Sequence, residues 1–167
     1  MTDLNITVNH VANAFIKKFQ EENIELTHMQ LQKLVYYAYA AFLVIAGKPL
    51  FTNKDTNEKD SPFEAWAYGP VDRELYNSIK SCNNNAYKIQ TFLKENNGLT
   101  EDTKKTVDDL VSNTFRVFKG WSAKRLSDLS HSRGGAWGII KQSENEESLL
   151  YLQNEDIKKE ADFLFFK

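Results

Sequence analysis

Apolar residues dominate residues 27–47 and leave almost no polar face. One set recurs at three- and four-residue intervals, and a second set fills most of the remaining helical surface: Leu31, Leu34, Val35, Ala38, Phe42 and Ile45, then Met29, Tyr36, Tyr39, Leu43 and Val44. A helix that is apolar on nearly all sides lies at the centre of a fold. Gln30, Gln32 and Lys33 interrupt the apolar run, which is therefore shorter than the roughly 18 residues that a membrane span needs.

Both ends of this segment carry helix boundary signals. Thr27 and Gln30 fit a capping box, in which each side chain bonds the backbone N–H of the other residue. Gly47 can adopt the left-handed conformation that ends a helix, and Pro49 cannot continue one. The pattern therefore predicts a central helix that ends at Gly47.

One-sided apolar stripes predict further helices along the rest of the chain. A stripe from Val8 to Phe19 predicts a surface helix antiparallel to the central one, and a short helix is expected around residues 89–93. Four residues are expected to cap helices: Thr7, Thr100, Ser122 and Asn154.

Short apolar-polar alternations after the central helix predict a small β-hairpin. Leu50 and Phe51 would form its first strand, and residues 63–68 its second. Gly69 is expected to end that strand and Pro70 to begin a helix. The predicted fold class is mainly α: a single domain over residues 1–167. It would be a bundle of about six to eight helices around the central apolar helix, with a small β-hairpin.

The composition of the chain argues against several classes of function. A chain of 167 residues with a net charge of -2 fits one core and lacks the basic surplus that is typical of nucleic-acid binding. The single cysteine, Cys82, excludes an intrachain disulfide and a thiolate zinc cluster. No charged-then-apolar leader precedes the first predicted helix, so we expect a cytoplasmic protein that does not associate with a membrane.

No arrangement of residues predicts catalysis or a cofactor. His10, His28 and His131 lie in separate elements without the spacing of a metal site, so no metal and no cofactor are expected. Ser130 and Ser132 flank His131, but adjacent residues rarely form a nucleophile and base pair, and no GxSxG elbow is present. We therefore expect a protein that is not an enzyme, with a hydrolase using His131 as one alternative.

A DNA-binding transcriptional regulator of a mobile element is the other alternative. Residues 27–33 could serve as a recognition helix, with Gln30 and Lys33 reaching base edges and Thr27 a phosphate. The apolar character of the other helix faces and three glutamates between residues 21 and 25 argue against this interpretation. We therefore do not expect a nucleic-acid partner.

Three stretches of the chain together resemble the Panacea domain of SocA-like antitoxins, long described as phage-associated proteins. They are LQKLxY at residues 31–36, FEAWxYGPV at residues 63–71, and LSxLSH at residues 126–131, which is followed by Trp137. The resemblance covers nearly the whole chain. It implies an antitoxin, encoded beside a toxin and neutralising that toxin by direct protein contact.

The resemblance also implies which partners to expect. The partner would be a cognate toxin, and some relatives resemble proteolytic adaptors that hand the bound toxin to a protease. No catalytic residue carries over from the family, and the oligomeric state is left open. The motif residues form the predicted partner-binding set: Gln32, Lys33, Tyr36, Glu64, Trp66, Tyr68, Gly69, Pro70, Val71, His131 and Trp137.

Packing is the alternative role for several of these residues. Trp66 and Tyr68 could belong to the core, and His131 could bond a carbonyl and fix the turn before Trp137. Lys33 has three alternatives, because its ammonium could extend to water, pair with Glu64, or face a toxin. We expect the N-terminal part of the central helix to lie near the surface, beside Trp66 to Val71.

Overall fold

The computed structural model describes residues 4–53, 56, 59–80, 98–132, 134–142 and 151–166. Within these ranges the chain forms seven helices and a three-stranded antiparallel sheet. The helices are α1 (Val8–Glu21), α2 (His28–Ala46), α3 (Arg73–Ile79), α4 (Glu101–Phe118), α5 (Ala123–Ser130), α6 (Ala136–Gln142) and α7 (Asn154–Phe165). The strands are β1 (Asp60–Trp66), β2 (Gly69–Asp72) and β3 (Tyr151–Gln153). The mainly α prediction is confirmed, and the short helix expected around residues 89–93 lies outside the described residues.

α2 is the central helix that the apolar pattern predicts. The predicted capping box is present: Gln30 donates its backbone N–H to the Thr27 hydroxyl at 3.2 Å, and Thr27 donates its own to the Gln30 side chain at 2.8 Å. Gly47 ends the helix with a φ of 70°. α1, α4, α5 and α7 all pack against α2, which explains why apolar residues are found around most of its circumference. None of the helices described is long and apolar enough to cross a membrane.

The caps of the surrounding helices agree with the prediction in three cases of four. Thr7, Thr100 and Ser122 each accept a backbone N–H from the first turn of α1, α4 and α5. The expected cap of α7 is wrong, because Gln153 occupies that position and makes no side-chain bond there. Asn154 instead accepts a hydrogen bond from the Tyr39 hydroxyl at 2.6 Å.

The predicted hairpin is present, but only its second predicted strand overlaps an observed one, since residues 63–66 lie in β1. β1 pairs with β2 across a two-residue turn, Ala67 and Tyr68, and pairs with β3 on its other side. Leu50 and Phe51 lie in the core and in none of the described strands. An Ala-Tyr turn lacks the glycine, asparagine or aspartate that marks a two-residue hairpin in a sequence, which accounts for the error.

Pro70 lies within β2 and does not begin a helix, which corrects the prediction for that position. α3 begins at Arg73, after Asp72, whose carboxylate accepts from the Leu75 N–H at 2.9 Å. Proline lacks the N–H that a central strand must donate, so it fits an edge strand. β2 is such an edge in the order β2-β1-β3.

Ile45 departs from the predicted burial of α2. The helical repeat groups it with buried residues, yet 66% of its surface is exposed. The chain is exposed from this residue to Gly47, where the helix ends.

Candidate functional site

Polar side chains of α2 cover the outer edge of β2. Gln32 bonds the backbone of Asp72 twice, since its Nε2 donates to the Asp72 carbonyl and its Oε1 accepts from the Asp72 N–H, both at 3.0 Å. Lys33 donates from Nζ to the Pro70 carbonyl at 2.9 Å. A buried backbone group without a partner costs about as much as a lost hydrogen bond. The two motif residues therefore complete the hydrogen bonding of an edge strand.

Lys33 is fully buried, with 0% of its surface exposed. Burial lowers the pKa of its ammonium to about 7. Two of the three alternatives for this side chain are wrong, because it does not extend to water and because Glu64 pairs with Arg73 instead. Contact between Lys33 and a toxin stays a prediction, and the hairpin would have to move for that contact to form.

Gly69 allows the hairpin to approach α2 and α5 closely. Its φ is 112°, a conformation that favours glycine. A Cβ atom at this position would collide with Ser130 Oγ and lie 2.9 Å from Lys33 Cε. Ser127 fixes the turn from the same side by donating from Oγ to the Tyr68 carbonyl at 2.7 Å. The glycine and the serine together hold the turn against α5.

Glu64 anchors Trp66 on one side of the hairpin. Arg73 donates to both carboxylate oxygens of the buried Glu64 at 2.8 Å, a bidentate geometry that is among the stronger ion-pair arrangements. Trp66 Nε1 donates to the same carboxylate at 3.2 Å. The Arg73 guanidinium lies 5.2 Å from the Trp66 ring centroid, and Tyr76 meets that ring edge-on at 4.8 Å. Three side chains, those of Glu64, Arg73 and Tyr76, therefore hold the orientation of the Trp66 indole.

Trp137 bonds the backbone of the hairpin, and His131 stacks on Trp137. Trp137 Nε1 donates to the Trp66 carbonyl at 2.7 Å, which joins α6 to the turn. The His131 ring stacks on the Trp137 indole with centroids 3.9 Å apart. Burial lowers the pKa of His131, and the nearby Lys33 lowers it further. The buried Nε2 atom of His131 has no hydrogen-bond partner among the described residues, so the expected bond to a carbonyl is not made by this atom.

Tyr36 takes part in a second buried polar group. Its hydroxyl donates to Glu160 at 3.2 Å, and its ring meets Phe63 of β1 edge-on at 5.1 Å. The other Glu160 oxygen accepts from the Ala136 N–H at 2.7 Å. Burial raises the pKa of Glu160 to about 7. Because Ala136 is the first residue of α6, this group positions the helix that carries Trp137.

Exposure divides the predicted site residues into three groups. The largest group is buried: Gln32, Lys33, Tyr36, Glu64, Gly69, Pro70 and Val71. Trp66, His131 and Trp137 are half-buried. Tyr68, at the tip of the turn, is 67% exposed. The structure thus collects the set around one hairpin, while contact of these residues with a partner stays a prediction.

Three residues complete this arrangement without belonging to the predicted set. Ser127 lies within the third motif stretch, so its presence there was the available signal. Arg73 pairs with Glu64 across the hairpin turn, and that pairing follows only from the correct strand register. Glu160 is more than 120 positions from Tyr36 in the chain, and no local pattern connects the two.

The side chains that DNA readout would need are engaged within the protein. Gln30 donates from Nε2 to the Trp121 carbonyl at 3.1 Å, and Lys33 is bonded to β2. Both hydroxyls that flank His131 donate to backbone carbonyls, Ser130 to Ser127 and Ser132 to Leu129, each at 2.6 Å. Across the described ranges, no cluster of three or more His, Cys, Asp or Glu residues is arranged to hold a metal ion.

Comparison with known proteins agrees with the three motif stretches. Residues 31–138 match the family described as Antitoxin SocA-like, Panacea domain. The chain is 30% identical over 136 residues to Antitoxin SocA of Caulobacter vibrioides (strain NA1000 / CB15N), which covers 78% of this chain and 68% of that protein. No solved structure gives a significant match. The matched range contains Lys33, the hairpin and Trp137, and the chain belongs to the SocA-like, Panacea-domain family of antitoxins.

Proposed function

We propose that this chain is a cytoplasmic antitoxin that neutralises a cognate toxin by direct protein contact and without catalysis. The observation that carries the proposal is its family membership together with its 30% identity to Antitoxin SocA. A fold by itself does not identify a partner, so the proposal names a toxin as the class of partner and leaves its activity open.

The geometry around the hairpin favours a binding surface over a reaction centre. The polar motif residues Gln32, Lys33 and Glu64 are satisfied by groups of the same chain. They hold a turn that presents an aromatic side chain outward. A surface that is already formed loses less conformational entropy on association, which suits an inhibitor that must capture its target quickly.

Co-expression with the product of the neighbouring reading frame tests the proposal. The neighbour alone should arrest growth, and co-expression with this chain should restore growth. The two proteins should also elute together as one complex in size-exclusion chromatography. A harmless neighbour that does not associate with this chain would contradict the proposal.

Neutralisation by delivery to a protease is the second form of the same proposal, and it is motivated by relatives that resemble proteolytic adaptors. The half-life of the toxin, measured after translation is blocked, distinguishes the two forms. A half-life that shortens when this chain is present supports delivery. Restored growth with an unchanged toxin half-life supports direct blocking of the toxin.

A further inference from the structure

The tip of the β1–β2 hairpin combines exposure with rigid support. Tyr68 has 67% of its surface exposed, although a large aromatic side chain normally stabilises a protein by burial. We propose that this tip is the surface that contacts the toxin, and that Tyr68 is the anchor that enters a pocket on it. This inference rests on the proposed antitoxin function.

The backbone on each side of Tyr68 is bonded to a different helix. The Tyr68 carbonyl accepts from Ser127 Oγ in α5, and the Pro70 carbonyl accepts from Lys33 Nζ in α2. The Trp66 carbonyl accepts from Trp137 Nε1 in α6. A turn that is bonded to three helices loses little conformational entropy on binding. A tyrosine also has few rotatable bonds, so its side chain loses little conformational entropy when it is immobilised in a pocket.

The surroundings of the tip indicate the chemistry of the partner surface. Trp66 directly precedes the turn, Trp137 bonds the Trp66 carbonyl, and both side chains are half-buried. A cation lies near each ring, Arg73 at 5.2 Å from the Trp66 centroid and Lys141 at 5.9 Å from the Trp137 centroid. Tyrosine, tryptophan and arginine are the residues that most often dominate binding energy. Because Arg73 is already paired with Glu64, we place the acidic group of the partner opposite Lys141. The complementary toxin surface is an apolar pocket with a polar group at its base for the phenol and a carboxylate at its rim.

Other exposed apolar residues lack this support. Phe163 on α7 is 71% exposed and comparable in size, but it lies on the last turns of a helix and not on a turn held by three helices. Phe163 therefore serves as a matched control, because its truncation removes a similar aromatic surface elsewhere on the same protein.

The experiment measures the affinity of Tyr68→Ala and Phe163→Ala for the product of the adjacent reading frame, purified as an inactive variant. Loss of a central anchor weakens binding by about 30-fold or more. We therefore expect that loss for Tyr68→Ala and less than about threefold for Phe163→Ala. Tyr68→Phe keeps the aromatic ring and should lose less affinity for the toxin than Tyr68→Ala. Thermal unfolding of each variant should stay close to that of the wild type, since both side chains are largely exposed.

The possible outcomes distinguish failure of the proposed contact surface from failure of the proposed antitoxin function. If the wild type binds and neutralises the toxin but Tyr68→Ala does so equally well, the proposed surface is wrong and the antitoxin function stands. If both alanine variants lose affinity to the same extent, the hairpin is not the specific anchor. If the wild type itself does not bind, the proposed function fails first.

A charge reversal tests the acidic rim separately. Lys141→Glu should slow association several-fold at low salt and much less at high salt, because opposite charges steer encounter and salt screens them. Lys105→Glu, on the exposed face of α4, is the control and should leave the association rate nearly unchanged. Equal effects of the two reversals would overturn the acidic rim.

Discussion

The two ends of α2 reverse the usual relation between polarity and burial. Near its start, Lys33 has 0% of its surface exposed, and near its end Ile45 has 66% exposed. β2 and α5 cover the first region, whereas the chain is exposed from Ile45 to the end of the helix. Burial along this helix is therefore decided by what packs against each turn and not by the polarity of the residue.

The buried end is polar because it meets the edge of a strand. The outward backbone groups of β2 need partners, and an apolar helix face would leave them without any. Gln32 and Lys33 supply those partners at 2.9 to 3.0 Å. The exposed end meets no such edge, so a residue there is constrained mainly by helix formation.

The largest effect is expected for Gly69→Ala, which would separate the hairpin from α2. The new methyl group would meet Ser130 and Lys33, and the backbone has a φ of 112°. Strain and overpacking together should lower the free energy of unfolding by about 4 kcal/mol, measured by urea denaturation. Gly120→Ala is the control, because its φ is also positive but nothing lies within 4 Å of the new Cβ. Equal losses for both variants would show that close approach at Gly69 is unimportant.

A loss of similar kind but smaller size is expected for Gln32→Leu. The substitution keeps most of the side-chain volume and removes both bonds to the Asp72 backbone. Two buried backbone groups without partners should lower the free energy of unfolding by about 3 kcal/mol. Gln20→Leu, at an exposed position of α1, should change it by less than about 0.5 kcal/mol. If Gln32→Leu left the free energy of unfolding unchanged, water or a shifted strand would have to replace the hydrogen bonds of the amide.

Lys33 should make the stability of the protein rise with pH above neutrality. Burial lowers its pKa from 10.5 to about 7, so between these values the unfolded chain binds a proton that the folded protein does not. Stability rises with pH wherever the unfolded state binds more protons. The cost of burying Lys33 is therefore fully present below pH 7 and lost as pH rises toward 10.5.

Lys33→Met removes that dependence and leaves the volume nearly unchanged. Between about pH 7.5 and 9.5 the wild type should gain up to about 1.4 kcal/mol per pH unit, and the variant should be nearly flat. This pH window lies above the raised pKa values of Asp72 and Glu160, both about 7. It also lies below the pH at which the tyrosines lose their protons, since burial raises the pKa of Tyr36, Tyr37 and Tyr39. Lys105→Met should keep the wild-type slope. A wild type without a slope in this window would contradict the buried, largely neutral lysine.

The helices were predictable because their signals are local. The capping box of Thr27 and Gln30 and the left-handed Gly47 each depend on residues within one helical turn, and all of these features are present. One strand of the hairpin was predicted and its partner was not, because the Ala-Tyr turn between β1 and β2 carries no turn signal. Pairing of distant strands is set by tertiary packing, which a local pattern does not encode.

The candidate site was predictable as a set of motif residues but not as a geometry. Gln32, Lys33 and the hairpin were expected to lie side by side, and they do. Gln32 and Lys33 were expected near the surface and are buried, so that expectation was wrong. The partners they satisfy are backbone atoms of Pro70 and Asp72, and a one-letter sequence does not show which backbone groups lack a partner. The Tyr36 and Glu160 pair was missed because the two residues meet only after α7 packs on α2.

The smallest effect is expected for Ile45→Lys. This substitution places a lysine at the exposed end of α2, whereas the native Lys33 is buried near the other end. The side chain at position 45 is mostly exposed, so little apolar burial is lost. A lysine in the last turn of a helix also interacts favourably with the helix dipole, by about 0.3 to 1 kcal/mol. The free energy of unfolding should therefore change by no more than about 0.5 kcal/mol, measured beside Gln32→Leu under the same conditions. A loss as large as that of Gln32→Leu would show that Ile45 is covered in solution, by a second copy or by a partner, and the contrast between the two ends of α2 would then belong to the isolated chain alone.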